Sequence, residues 1–319
     1  TPPLTPPLTP PVSPTATPPL TPPFLPCTMR LTTALFLFVT AHFAVHAQSL
    51  VGAWMQGAGN SVAAVSAFQE SYSYYAVGER PTDNTGLGVI TARGATLYAA
   101  SGVTDFLDVI VNVPWISTGS DAGFWETQTG LQDVSAALRL RPLSLALGSQ
   151  RLDVVVAGVY STPMSDYVPD LPVTIGHQVT AVEGRVLLHY VTTSGWSFTG
   201  QGGYLGRGTV TVDRGFDVDA PDQVEFWTKA AWGDSDWYGD VWLQHVVPQS
   251  GTNIGPGVPF PSNAQGFTRI GATVVRHVFA DWSVVAGLAG TLDARNVGYA
   301  TRFNIGFVHR LPSWSGVQL

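Results

Sequence analysis

The sequence predicts an all-β fold: a closed antiparallel transmembrane β-barrel of about twelve strands. Three observations carry that reading. Apolar and polar residues alternate with period two through most of the chain, as strands with two unlike faces require. Short turn signals and long polar connections also alternate, the pattern of tight turns on one side of a membrane and long loops on the other. An export signal precedes this region, which holds no cysteine.

Residues 1–28 form a low-complexity leader in which Thr1 to Pro26 carries half of the 24 prolines. Such a tract can only be extended polyproline II. It reads as a stiff spacer, as a ligand for a proline-recognising domain, or as sequence upstream of the true start. Met29 favours the last, because a complete signal peptide follows it over 29–47. Met29-Arg30 is its basic start, Leu35 to Val45 its apolar run, and Val45-His46-Ala47 its cleavage site. That run falls well short of the ~20 apolar residues of a spanning helix. Cleavage near Ala47 would leave a mature chain that begins at Gln48. Cys27 precedes the apolar run and so is not a lipid-attachment cysteine.

From Gln48 onward there are 14 basic and 22 acidic residues, a net charge of −8, and no cysteine. A disulfide scaffold and a Cys-based metal centre are excluded. Nucleic acid is not an expected partner, because no basic excess exists to neutralise phosphates. Lys229, the sole lysine, follows no Gly-rich loop and fails the phosphate-loop motif.

Strands are expected near 61–75, 91–101, 106–117, 129–142, 152–162, 174–191, 195–207, 222–233, 236–247, 265–278, 281–292 and 298–311. In the third, Leu107, Val109, Val111, Val113 and Trp115 share one face while Asp108 and Asn112 share the other. Val134, Ala136, Leu138 and Leu140 likewise oppose Ser135, Arg139 and Arg141. Val182, Val186, Leu188 and Tyr190 oppose Glu183, Arg185 and His189. Phe226 and Trp232 oppose Glu225 and Lys229, and Phe303, Ile305 and Phe307 oppose Arg302, Asn304 and Arg310. Tight turns fall at 102–105, 193–195, 233–236 and 280–281, and long connections at 78–90, 118–128, 163–173, 208–221 and 248–264.

A soluble exported β-sandwich shares this alternation. Against it stand the charges opposite the large apolar face, where a barrel keeps its polar lumen, and aromatics near strand ends. The latter are Tyr72, Tyr74, Tyr75, Trp115, Trp196, Tyr204, Trp232, Trp237, Trp282 and Tyr299, placed as interfacial girdles. In lipid every backbone polar group must pair within the protein, so such a sheet must close. Twelve strands are wide enough to enclose a lumen.

The order of short motifs resembles a known family. Gly52-Ala53-Trp54, then Ser71 to Tyr75 with Gly78-Glu79-Arg80, looks like its first strand and loop. Leu97 to Asp105 followed by Val111-Asn112-Val113-Pro114 looks like its strand pair about a Gly-x-Thr-Asp turn. Thr129-Gly130-Leu131-Gln132-Asp133-Val134 and Arg295-Asn296 continue the series. These are similar to the outer-membrane transporters grouped under "MetA-pathway of phenol degradation". The resemblance implies a barrel in the outer membrane of a Gram-negative-type bacterium that admits small hydrophobic or aromatic solutes. One departure is that Pro312 to Leu319 follows the last strand, where such barrels end on an aromatic residue read by the barrel-assembly machinery.

The candidate lumen-lining residues are Asp108, Asn112, Asp133, Arg139, Arg141, Asp153, Glu183, Arg185, His189, Glu225, Lys229, Asp240, Gln244, Arg269, Arg302, Asn304 and Arg310. Opposed charges there either filter solutes, as side-chain rings do in channels, or brace and solvate the wall. No catalytic constellation is found: the histidines are scattered and no Gly-x-Ser-x-Gly elbow is present. The acidic stretch Asp213 to Asp219 lacks the bidentate Glu of a calcium loop. No enzyme activity, cofactor or metal is expected. The expected function is solute diffusion through the lumen, with outer-membrane lipid, the assembly machinery and a small-molecule solute as partners. The alternative is a structural or surface-interaction barrel, its lumen plugged and its loops binding a partner.

Overall fold

A computed structural model describes residues 50–84, 86–123 and 125–314. The Pro-rich leader, the signal peptide and residues 315–319 therefore lie outside the described residues.

The strands in chain order are β1 (Ser61–Tyr72), β2 (Tyr74–Val77), β3 (Arg80–Asp83), β4 (Ile90–Thr104), β5 (Leu107–Ser120) and β6 (Gln128–Leu131). They continue as β7 (Asp133–Leu147), β8 (Gln150–Pro163), β9 (Ala181–Val191), β10 (Trp196–Arg207), β11 (Thr209–Thr211) and β12 (Asp217–Asp219). The last are β13 (Gln223–Gly233), β14 (Trp237–Pro248), β15 (Gly266–Phe279), β16 (Trp282–Arg295) and β17 (Thr301–Leu311). Each long strand pairs antiparallel with its neighbours in the chain, and β1 pairs with both β4 and β17. The 12-strand sheet is thereby closed, with β6 extending the β7 edge onto β5. Closure leaves no sheet edge whose N–H and C=O groups would face lipid.

Alternation decides which side chains face out. On β17 Phe303, Ile305 and Phe307 are exposed while Asn304, Gly306 and Val308 are buried. On β9 Val182, Val186 and Leu188 are exposed while Arg185, Leu187 and His189 are buried. A soluble protein does the reverse. Trp196, Trp232 and Trp282 stand exposed at the short-turn end, and Tyr160 and Tyr204 at the other.

Among the boundaries that differ from the sequence expectation, three have a local cause. The strand expected over 174–191 begins only at Ala181, because 174–180 belongs to an inward loop and Gln178 turns left-handed at φ 56°. The segment expected over 61–75 breaks at Ser73, where the chain leaves the barrel for the β2–β3 hairpin. The strand expected to stop at residue 142 runs on to Leu147, with a register shift between Leu140 and Leu143 at Pro142, which has no N–H for the ladder.

Gly52-Ala53-Trp54 is not part of a first strand. Residues 50–56 enter the barrel before β1 begins. Tyr72 turns inward and lines a cavity, so it is not part of an aromatic girdle.

Candidate functional site: the barrel interior

Charged side chains meet inside the barrel at two heights. Near the short-turn end, Asp108 of β5 and Arg139 of β7 are register partners and both are fully buried. Arg139 Nε donates to Asp108 Oδ2 at 3.1 Å, and Nη2 donates to the same oxygen. Asp153 meets Arg151 at 2.9 Å and Arg141 at 3.8 Å, and Lys229 meets Asp240 at 2.8 Å. Higher up, Arg185 donates to both Glu183 and Glu225, while Gln244 also donates to Glu225. Two carboxylates thus meet on one guanidinium, with Arg207 of β10 further toward the long loops.

A group of opposite balance sits on the other side of the ring. Glu70 of β1 accepts from Arg269 of β15 at 2.9 Å and from Arg302 of β17 at 3.5 Å. Around the barrel, β9, β10 and β13 lie opposite β17, β1 and β4. The long-loop half thus holds Glu183, Arg185, Glu225 and Arg207 on one wall and Glu70, Arg269 and Arg302 on the other, the second with one cation in excess.

Residues 50–56 fill much of the short-turn half. Val51 and Ala53 are buried against Val62, Ala100, Ile110, Ala137, Val155 and Leu187, all inward residues of β1, β4, β5, β7, β8 and β9. The Gly52 carbonyl accepts from Arg139 Nη1 at 2.7 Å, and the Gln56 N–H donates to Asp108 Oδ2 at 3.1 Å. The Trp54 ring meets His189 edge-on at 4.6 Å, and His189 Nδ1 lies 2.8 Å from the Thr199 hydroxyl. The buried ion pair therefore also ties down a strap of backbone.

Loops close the other end. Asn296, at φ 53°, accepts from the Gly78 and Ile254 N–H groups at 2.8 and 3.1 Å. Its Nδ2 donates to the Ala264 carbonyl at 2.8 Å and to Thr252 at 3.3 Å. One side chain thus joins the β2–β3 hairpin to the 249–265 loop. Asp170 accepts from Arg214 Nε at 2.7 Å and from the Phe260 N–H at 2.8 Å, linking three loops. Within the 164–180 loop, the Tyr167 hydroxyl donates to Asp133 at 3.0 Å and accepts from the Gln178 N–H at 2.7 Å. Burial, with the Asp133 carboxylate beside it, holds that hydroxyl well above its ordinary pKa. Burial, helped by Arg207, pushes His177 down to about 3, so its imidazole is neutral at neutral pH.

Under this cap lies a cavity of 470 Å³ walled by Tyr72, Ile90, Ile175, His177, Phe267 and Arg269 among others. A second, of 320 Å³, shares eight of those wall residues and reaches Phe68 and Arg302. A third, of 440 Å³, opens at the short-turn end beside Trp54 and Tyr238. It shares no wall residue with the first two. Between them stand the buried side chains of Trp227, Trp242, Leu187 and the strap.

Of the residues singled out in the sequence, Asp108, Arg139, Asp153, Arg185, His189, Asp240 and Asn304 are buried. Asn112, Asp133, Arg141, Glu183, Glu225, Lys229, Gln244, Arg269 and Arg302 are half-buried on inward positions. Arg310 departs from the expectation: it is exposed at the short-turn end of β17, because the strand has already reached the rim. Glu70, Arg151 and Arg207 belong with the interior set and were missed. Small residues occupy both faces of β1 (Ala63, Ala64, Ser66, Ala67), so its parity is hard to read, although Phe68 and Glu70 do share a face. Asp217 and Asp219 accept from Thr211 and Thr209 across the β11–β12 hairpin, which accounts for the alternate carboxylates of that loop.

No protein-family model and no curated protein matches the sequence. The resemblance to the phenol-degradation group therefore rests on its short motifs alone. Among solved structures, the COG4313 outer membrane channel from Pseudomonas putida F1 superposes with a TM-score of 0.67 at 15% identity. The match covers 80% of this chain and 96% of that one. The NanC porin gives a TM-score of 0.48 at 10% identity, over 77% of this chain and 100% of the other. The translocator domain of the autotransporter NalP from Neisseria meningitidis gives 0.44 at 9%, over 80% and 89%. What the first of these shares with the chain is its fold, the closed antiparallel barrel.

Proposed function

We propose that the chain is an outer-membrane channel that passes small solutes, hydrophobic or aromatic ones among them, by diffusion through the barrel interior. The observation that carries this reading is the segregation of side chains: apolar residues outside, ion pairs and cavities inside. Lipid requires the first and a solute path uses the second. The inward charges would then sort solutes by their field, and the barrel-assembly machinery would insert the chain after cleavage near Ala47. Co-fractionation with outer membranes, with stable open-channel currents from refolded protein in planar bilayers, tests it; a folded barrel that never conducts would refute it.

The strap favours a second reading, a plugged barrel that serves as a structural or surface-interaction module. Removing residues 48–57 separates the two. Currents from the intact chain favour the channel, whereas currents that appear only after removal, or silence in both forms, favour the plugged module.

A further inference from the structure

We propose that the paired cavities beneath the loop cap bind a small organic monocarboxylate with an apolar body, its carboxylate received by Arg302 and Arg269. This deepens the channel reading by naming a solute class for the same interior.

The charged residues on the walls of the two cavities are Glu70, Arg269 and Arg302, two cations against one anion. His177 adds none, being neutral. A net-positive pocket inside a chain of net charge −8 beyond Ala47 calls for a balancing anion.

Hydrogen-bond capacity points the same way. A guanidinium carries five N–H donors in a planar fork. Arg269 is well occupied, with Nη2 on Glu70 at 2.9 Å and Nε on the Thr291 hydroxyl at 3.0 Å. Arg302 is not: its hydrogen bond among the described residues is the 3.5 Å contact with Glu70. Its Nε is buried with no partner, and its flat face lies 3.8 Å from the Phe68 ring. Stacking on Phe68 fixes the plane of the fork and leaves its edge under-used, the state in which arginine takes a carboxylate in two parallel bonds.

The remaining wall sets the rest of the ligand. Phe68, Tyr72, Ile90, Pro172 and Ile175 line the space around the arginines, and Phe267 stacks against Arg269 at 4.6 Å. Such a wall favours an apolar body over a hydrated ion. A bare inorganic anion would leave that surface uncovered.

The test uses the mature chain in detergent micelles, with 19F NMR titration of 4-fluorobenzoate and its neutral isostere 4-fluorobenzamide. We expect the acid to bind at least tenfold more tightly than the amide. Arg302→Gln should bring the two within twofold, and Arg302→Lys, which keeps the charge but not the fork, should fall between. Heat-modifiable gel mobility confirms that each variant is folded, and the lysine variant keeps the test open should the glutamine variant not fold. Equal affinity for acid and amide in the native barrel would overturn the proposal. So would acetate competing as strongly as 4-fluorobenzoate, or a preference untouched in both Arg302 variants. Binding is read at equilibrium, so a barrel that binds the acid yet never conducts defeats the channel reading alone.

Discussion

If Arg139 tethers the strap, cutting that tether should expose residues now sealed inside the barrel. The simple replacement Arg139→Ala is a poor probe, since it strands Asp108 as an unpaired buried charge at a cost of about 3–5 kcal/mol. Arg139→Leu with Asp108→Asn removes both charges together, and Asn can still accept from the Gln56 N–H. What is lost is the 2.7 Å bond from the guanidinium to the Gly52 carbonyl. A hydrogen bond from a charged donor contributes about 1.5–3 kcal/mol, so the released fraction of the strap should rise roughly ten- to a hundredfold. Ala53, now 4% exposed, reports on this as Ala53→Cys, because the chain beyond Ala47 contains no other thiol. Labelling by a water-soluble maleimide should be slow with the native pair and faster by that factor in the double variant. A rate unchanged within twofold would show that the strap is held by Val51, Ala53 and Trp54 packing and not by the guanidinium.

Other consequences follow from the loop cap and the turns. Asn296→Gly keeps the left-handed backbone but strands the Gly78 and Ile254 N–H groups; a loss of about 2–4 kcal/mol should appear as faster proteolysis of the 249–265 loop. His177 is neutral in the closed cap, with its pKa lowered to about 3 against 6.5 for a free histidine. An opened loop therefore binds a proton that the closed one refuses, so closure weakens as pH falls below 6.5 and is lost toward 3. At pH 5 the shift is about 2 kcal/mol, roughly thirtyfold more opening, readable as hydrogen exchange over 164–180 and abolished in His177→Phe. A Cβ at Gly102 would lie 1.9 Å from the Gly57 carbonyl oxygen, so Gly102→Ala should lower the temperature at which the folded gel band is lost. Arg214→Gln should do little to that temperature, since the Arg214 side chain is 43% exposed and Asp170 keeps its bond from the Phe260 N–H.

The barrel was legible because its physics is written residue by residue. Each strand must show lipid one face, so Val182, Val186 and Leu188 against Glu183, Arg185 and His189 announce both strand and side. Ion-pair partners are legible only halfway. The inward parity of Asp108 and Arg139 can be read from their strands, but their pairing depends on a register between β5 and β7 that no local pattern states. Glu70 shows the limit from the other direction, since its strand places small residues on both faces. The strap was hidden for a different reason. Leu50 to Trp54 has no periodicity, and its burial depends on a hollow that exists only once β1, β4, β5, β7, β8 and β9 have assembled around it.

The two halves of the interior solve one problem in opposite ways. A twelve-strand barrel encloses more space than its own side chains fill, and unfilled polar walls must be paired or wetted. At the short-turn end the chain supplies its own filling: apolar Val51 and Ala53 pack on Ile110 and Leu187, while Arg139 and Asp108 each also bond the backbone of the strap. At the long-loop end the inward loop that carries Pro172, Ile175 and His177 walls the cavities and leaves space between itself and the strands. The loops roof the space without entering it fully, and Arg302 keeps an unpartnered Nε beside a wall of Phe68 and Ile175. Both ends contain buried guanidinium groups, so the contrast is not one of composition. It lies in whether the chain itself completes the arginine. Where it does, the interior is structure; where it does not, the vacancy in hydrogen bonding is the feature a solute can meet.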